Sequence, residues 1–262
     1  MSVVVLNQSV LHFETLGRGR PVLFLHTWVG SWRYWVPSLQ AVAVSHSAYA
    51  LDLLGFGDSA RNAVGYSLDG QTALVAAFLD EMGIGRVALV GHGLGGLVGL
   101  HFADQQPDRV ARMLIAGLSP RSIARDARLG LFSPDEWLTL FDAKGAFAAE
   151  LLPETRGIDP DAVHVVPNEA ETSGFLAAPS EADPPILFIN GANDPLQGAA
   201  DATHIPPTQR RVQEIVFPES GHFPMLDAPD AFHRLMVDFL ALDDGASPRD
   251  LRLKEEWRRR VR

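Results

Sequence analysis

The chain contains no cysteine among its 262 residues, which excludes disulfides and thiolate metal sites. It is short of basic charge as well. The formal net charge of −10 at pH 7 argues against nucleic acid as the main partner, because neutralising a phosphate backbone requires a basic surface. Long apolar runs are also missing: the longest, Val87 to Phe102, is too short for a membrane span and is interrupted by His92 and five glycines, so no transmembrane segment is expected. Met1 to Leu6 lacks the charged and apolar regions of a signal peptide, and a cytoplasmic location is the expectation. No grouping of His, Asp and Glu has metal-site spacing, and neither a metal nor a cofactor is expected.

What is present is a globular composition, 47% hydrophobic and 21% charged, able to bury a large core. The length fits one α/β core carrying an insertion. Ser2 to Leu6 and Val10 to Thr15 read as an antiparallel hairpin turning at Asn7 and Gln8. Six short aliphatic or β-branched runs follow: Val22 to Leu25, Ala48 to Leu51, Val87 to Val90, Met113 to Ala116, Ile186 to Ile189 and Val212 to Phe217. Helical stretches separate them, which implies a mostly parallel sheet with helices on both faces. Ser67 caps an expected helix with Val75, Phe78, Leu79 and Met82 on one face, ended by Gly83 or Gly85. A second sheet-covering helix starts near Pro229 and carries Phe232, Leu235, Met236, Phe239 and Leu240.

Between Ser119 and Pro184 the strand rhythm stops. A helix from Ser133 and Pro134 through Trp137, Leu138 and Phe141, and a polar loop at Pro167 to Gly174, mark this as a helical cap. The expected division is a core of residues 1–118 and 185–245, a cap of 119–184 and a basic tail of 246–262. The tail has seven Lys or Arg against three Asp or Glu, with Leu251, Leu253, Trp257 and Val261 as a possible apolar stripe. It suits docking on the acidic body, on a partner subunit or on an anionic membrane; equally it suits a terminal helix packed on its own domain or a frayed end.

Chemistry-bearing residues cluster after the strands, where loops at the carboxyl ends of a parallel sheet line a crevice. Gly91, His92, Gly93, Leu94, Gly95, Gly96 stand between a strand and an apolar helix, the frame of a nucleophile elbow whose centre is glycine instead of serine. The same frame describes a dinucleotide loop, but no acidic residue ends the next strand, Met113 to Ala116, to hold a ribose. The other four loops are His26 to Gly30, Asp52 to Ser59, Asn190 to Asp194 and Ser220 to Phe223. Trp28, Trp32, Tyr34 and Trp35 are candidates for an aromatic pocket or for core packing. His26 and His92 read as structural residues. Ser31, Ser59 and Ser119 could replace the nucleophile only by pointing at His222.

These five loops, in this order, resemble the α/β-hydrolase superfamily over nearly the whole chain. The resemblance implies an α/β-hydrolase fold with Asp194 as triad acid and His222 as base. It implies an oxyanion hole from the amides of Trp28 and Leu94; of the aromatic candidates, Trp28 and Trp32 are the expected substrate-binding residues. The run Asp52 to Ser59 matches the supporting D-x-x-G-x-G-x-S sequence and is assigned no chemistry. Two departures stand out: Thr27, where the family more often has glycine, and Gly93 at the nucleophile position, which cannot form a covalent intermediate.

The expectation is therefore a protein that acts on or binds a small apolar ester, lactone or related acyl compound with little or no serine-hydrolase turnover, either a natural pseudo-hydrolase or an inactivated esterase. The alternative is an enzyme using the His222 and Asp194 dyad as a general base, of lyase or cofactor-free oxygenase type. A phosphate binder is the third reading.

Overall fold

The computed structural model describes residues 2–118, 136, 139–141, 151, 154–155, 157–163, 183–196, 205 and 209–251. The hairpin forms as β1 (Ser2–Leu6) and β2 (Ser9–Gly17), with Asn7 and Gln8 both at positive φ, the backbone required to turn a tight hairpin with the strands' own twist. Then come β3 (Arg20–Leu25), β4 (His46–Leu51), β5 (Val87–His92), β6 (Val110–Ala116), β7 (Ile186–Gly191) and β8 (Val212–Phe217). Each contains one of the six runs read from the sequence. All join one sheet in the order β1-β2-β4-β3-β5-β6-β7-β8, antiparallel at β1-β2-β4 and parallel from β4 onward.

Among the described residues, helices run as α1 (Val36–Val42), α2 (Leu68–Glu81), α3 (Leu94–Gln105), α4 (Pro160–Val163), α5 (Pro224–Asp227) and α6 (Pro229–Leu240). Ser67 caps α2 by accepting the Gly70 amide at 3.0 Å, and the chain leaves the helix through Gly83 at φ 66. The apolar face of α6, Phe232, Leu235, Met236, Phe239 and Leu240, is buried. Helices α2 and α3 pack together, as do α1 and α6.

Strand order explains where a site can form. From β3 the chain crosses through α1 to β4 on one side, and from β5 it crosses through α3 to β6 on the other. Right-handed crossovers put those two connections on opposite faces, so the loops after the adjacent strands β3 and β5 part and leave a crevice. Gly93 and Thr27 sit at that opening.

Most of the expected cap, including Trp137, Leu138 and the loop from Pro167 to Gly174, lies outside the described residues, as does the tail from 252 onward. The described cap residues are tied to the core. Glu154 accepts hydrogen bonds from Ser31 Oγ at 2.5 Å and Arg33 at 3.2 Å, Arg33 also pairs with Asp58 at 2.8 Å, and Tyr66 donates to Asp159 at 2.7 Å. The start of the tail is docked too. Ser247 forms a capping box with Asp250 and donates to the Arg210 carbonyl, while Pro248 and Leu251 are buried. Among the described residues no helix is long and apolar enough to cross a membrane.

Candidate active site

The five sequence-predicted loops meet at the carboxyl edge of the parallel strands. After β7, Asp194 is positioned by a turn in which its amide bonds the Gly191 carbonyl and its Oδ1 accepts the Leu196 amide at 2.9 Å. After β8, His222 follows a loop whose Ser220 carbonyl accepts the Asn193 amide at 3.0 Å, and whose Gly221 amide donates to Asp227 at 2.8 Å. Burial raises the Asp227 pKa from its ordinary value, opposed by that amide. A Cβ on Gly191 would overlap the Gly221 and Ser220 carbonyls, so glycine is what lets the acid and histidine loops close together.

The outcome is a buried contact of 2.9 Å between His222 Nδ1 and Asp194 Oδ2. With the carboxylate as acceptor, Nδ1 carries the proton and Nε2 presents a lone pair. That Nε2 has no hydrogen-bond partner among the described residues. Phe141 stacks on the imidazole with ring centroids 4.2 Å apart and planes 4° from parallel. The sequence reading placed Phe141 on a cap helix without linking it to His222; an apolar residue on an amphipathic cap helix is the only signal it gives.

Gly93 forms the sharp turn from β5 into α3, at φ 47 and ψ −112. A residue with a side chain is strained in such a backbone. Its amide donates to the Ala116 carbonyl at 3.0 Å, and the next amide, that of Leu94, opens α3, where no intrahelical acceptor exists. The Trp28 side chain is fully buried and its Cζ3 lies 2.9 Å from the Cβ position of residue 93. The two assigned oxyanion residues thus flank the elbow.

Both histidines read as structural are buried and doubly bonded. Leu53 N–H donates to His26 Nε2 at 3.0 Å, and His26 Nδ1 donates to the Thr27 carbonyl at 2.7 Å. Tyr34 accepts the Thr27 amide at 3.0 Å and donates to His92 Nδ1 at 3.1 Å, and His92 Nε2 donates to the His222 carbonyl at 2.9 Å. This relay joins the loops after β3, β5 and β8, and it occupies the Thr27 amide. Burial lowers the pKa of His26, and lowers that of His92 well below the ordinary imidazole value with His222 nearby adding to the effect. Tyr34, left among the aromatic candidates, is thus a tie within the site.

Trp32 is placed differently. Its amide donates to Asp52 Oδ1 at 2.8 Å and its ring lies 5.7 Å from that of His12, so its described contacts belong to the Asp52 loop and not to His222 or Gly93. Asp52 also accepts from His12 at 2.9 Å and from the Asp58 amide at 3.0 Å, and Ser59 donates to its carbonyl at 2.7 Å. The bond to Asp52 raises the His12 pKa against the opposing effect of burial. Although His12, Asp52 and Asp58 bring ligand-type atoms within 4.8 Å of one another, both Asp52 oxygens already serve the loop, and the group acts as a clasp. Of the possible substitute nucleophiles, Ser31 is held by Glu154, Ser59 by Asp52, and Ser119 lies outside the described residues.

A model of the alpha/beta hydrolase family matches residues 22–235. The pimeloyl-[acyl-carrier protein] methyl ester esterase of Nitrosomonas europaea is 28% identical over 85% of this chain and 96% of its own length. A putative carbamate hydrolase, RutD, of Variovorax paradoxus is 29% identical over 88% of this chain and 96% of its own. Among solved structures, a serine-to-glycine mutant of the N-acyl homoserine lactonase AidH, complexed with N-hexanoyl homoserine lactone, superposes with a TM-score of 0.73 at 21% identity. That match covers 91% of this chain and 96% of that one.

Proposed function

The chain belongs to the alpha/beta hydrolase family, and on that premise we propose that it binds a small apolar ester, lactone or related acyl compound while supporting little or no serine-hydrolase turnover. The observation that carries this reading is the contrast at the crevice: the Asp194 to His222 bond is made and buried, while the elbow residue is Gly93. Acid, base and flanking amides would receive an acyl group, with Trp28 beside it and Phe141 over His222. The step that glycine removes is the covalent one, in which a hydroxyl gives its proton to Nε2 and its oxygen attacks the carbonyl carbon. In a serine protease, loss of the nucleophile costs about 10⁶ in turnover.

A solved lactonase carrying a serine-to-glycine substitution is complexed with N-hexanoyl homoserine lactone, which makes this lactone a suitable probe. The test pairs ligand-observed NMR of this lactone with intact-mass analysis and an ester-hydrolysis assay. The reading expects saturable binding, no acyl-protein and hydrolysis at the buffer rate. Hydrolysis through an acyl-protein would overturn it.

The free Nε2 favours one second reading. A carboxylate-oriented imidazole is itself a general base, typically worth about 10² to 10⁴ in rate. Turnover without an acyl-protein, abolished by His222→Gln, would select the dyad enzyme over the binding protein.

A further inference from the structure

The two departures from the family pattern, Thr27 and Gly93, touch each other. A Cβ on Gly93 would overlap Thr27 Oγ1 and lie 2.9 Å from Thr27 Cβ. The hydroxyl of Thr27 therefore stands in the space that a residue-93 side chain would enter. Thr27 is fully buried, and Oγ1 has no hydrogen-bond partner among the described residues; His222 Nε2 is in the same condition. Buried polar atoms are almost always partnered, and with residue 93 read as the nucleophile position these two orphans face one pocket.

We propose that Thr27 is a ligand-binding residue: its hydroxyl and His222 Nε2 together hold a neutral O–H group, either of an alcohol-bearing small molecule or of water. This rests on the reading of residue 93 as the nucleophile position of the pocket. The chemistry follows from the protons. His222 Nδ1–H is committed to Asp194, so Nε2 can only accept, and its partner must donate. Thr27 has a proton to give and lone pairs to offer, with its own amide already bound to Tyr34. One oxygen satisfies both if it gives its hydrogen to Nε2 and receives that of Thr27 in a lone pair. A carbonyl oxygen has no hydrogen for His222, and an alkoxide has lost it. The nucleophile space is thereby converted from a residue that attacks the ligand into one that hydrogen-bonds it.

The probes are benzyl alcohol and toluene, which differ by the hydroxyl, titrated against the full chain by calorimetry. A crystal structure of the ligand-free protein forms the second arm. An alcohol ligand predicts that benzyl alcohol binds about tenfold more tightly than toluene, the size of one or two net hydrogen bonds. Thr27→Val should erase that preference while Thr27→Ser keeps it. Water as the occupant predicts no alcohol preference but an ordered oxygen about 2.6 to 3.2 Å from both Thr27 Oγ1 and His222 Nε2. Either result supports the proposal. It is overturned if no such oxygen is present and the preference is absent or survives Thr27→Val. Should Thr27→Val not fold, a preference lost in Thr27→Ser with no shared oxygen overturns it equally. His222→Gln separates the two levels: a preference lost there but kept in Thr27→Val removes Thr27 and leaves the pocket. With no shared oxygen, probe binding indifferent to both substitutions removes the pocket reading as well.

Discussion

Asp194 Oδ2 lies 2.9 Å from His222 Nδ1, and both side chains are buried. Neither loop dictates the other's position; their contact is set by β7 pairing with β8 in register and by the Asn193 amide bound to the Ser220 carbonyl. A hydrogen bond to a charged group contributes about 1.5 to 3 kcal/mol. Asp194→Asn keeps the shape and removes the charge, so unfolding in urea should show a loss of that order, and nitrogen NMR should show His222 no longer held in the Nδ1–H tautomer. An unchanged tautomer would mean that Asp194 does not orient the ring.

Stability should fall with acid. His26 and His92 are buried with pKa values pushed down by desolvation, so between pH 6.5 and their folded values the unfolded chain binds protons that the folded chain does not. Their contribution is complete above pH 6.5 and is lost as pH falls through that window, at up to about 1.4 kcal/mol per pH unit for each group. His12 acts in the opposite sense: its raised pKa makes its contribution complete below pH 6.5 and lost as pH rises through the raised value. Urea unfolding from pH 8 to pH 5 should show a net decline on the acid side. Stability that rises to pH 5 would contradict the neutral buried tautomers.

The first turn of the basic tail belongs to the core. Removing residues 252–262 should leave the transition sharp, whereas removing everything from Ala246 also exposes the Leu251 site and frees the Arg210 carbonyl. Burial of a leucine contributes roughly 1.5 to 3 kcal/mol and shifts Tm by about 2 to 4 °C per kcal/mol in a protein of this size. Calorimetry on the two truncations should place the longer deletion several degrees below the shorter. Equal Tm values would show the tail's first turn to be an accessory.

Phe141 should matter to the pocket more than to the fold. Phe141→Ala removes the ring stacked on His222 and admits water to the imidazole, so affinity for an apolar lactone should drop about tenfold or more, the scale of one buried aromatic contact. Titration of wild type and variant with N-hexanoyl homoserine lactone checks this. Unaltered affinity would place the ligand away from Phe141.

The strands and their loops were legible because Val, Ile and Leu runs bounded by glycine and polar residues carry their own period, and α2 and α6 announced their ends through Ser67, Gly83 and Pro229. Side-chain direction was not legible. Trp28 and Trp32 look equivalent in sequence, yet one lies against Gly93 and the other leans on His12 because the Asp52 carboxylate captures its amide. The overlap of Thr27 with residue 93 depends on strands β3 and β5 lying side by side, a long-range fact that no local pattern encodes. The tail turn carries a signal of its own, since Ser247, Pro248, Arg249, Asp250 has the spacing of a capping box, but the excess of basic residues beyond it masks that signal.

The central claim is that Gly93, with the Thr27 hydroxyl pressed against it, stands between this site and acyl transfer. Gly93→Ser by itself meets the Thr27 hydroxyl and a backbone that costs a side chain on the order of 1 to 3 kcal/mol, so it should be less stable than the parent and at best weakly active. Pairing it with Thr27→Gly removes that hydroxyl and leaves only the edge of the Trp28 ring, 2.9 Å from the Cβ position, to shift. The measurement is hydrolysis of an activated short-chain ester by the folded double variant. The account predicts a gain of at least about 10³ over the parent through an acyl-protein visible by mass, within the span that a lost nucleophile costs in a serine protease. A folded double variant no faster than the parent across a panel of esters, with Asp194 and His222 unaltered, would contradict it.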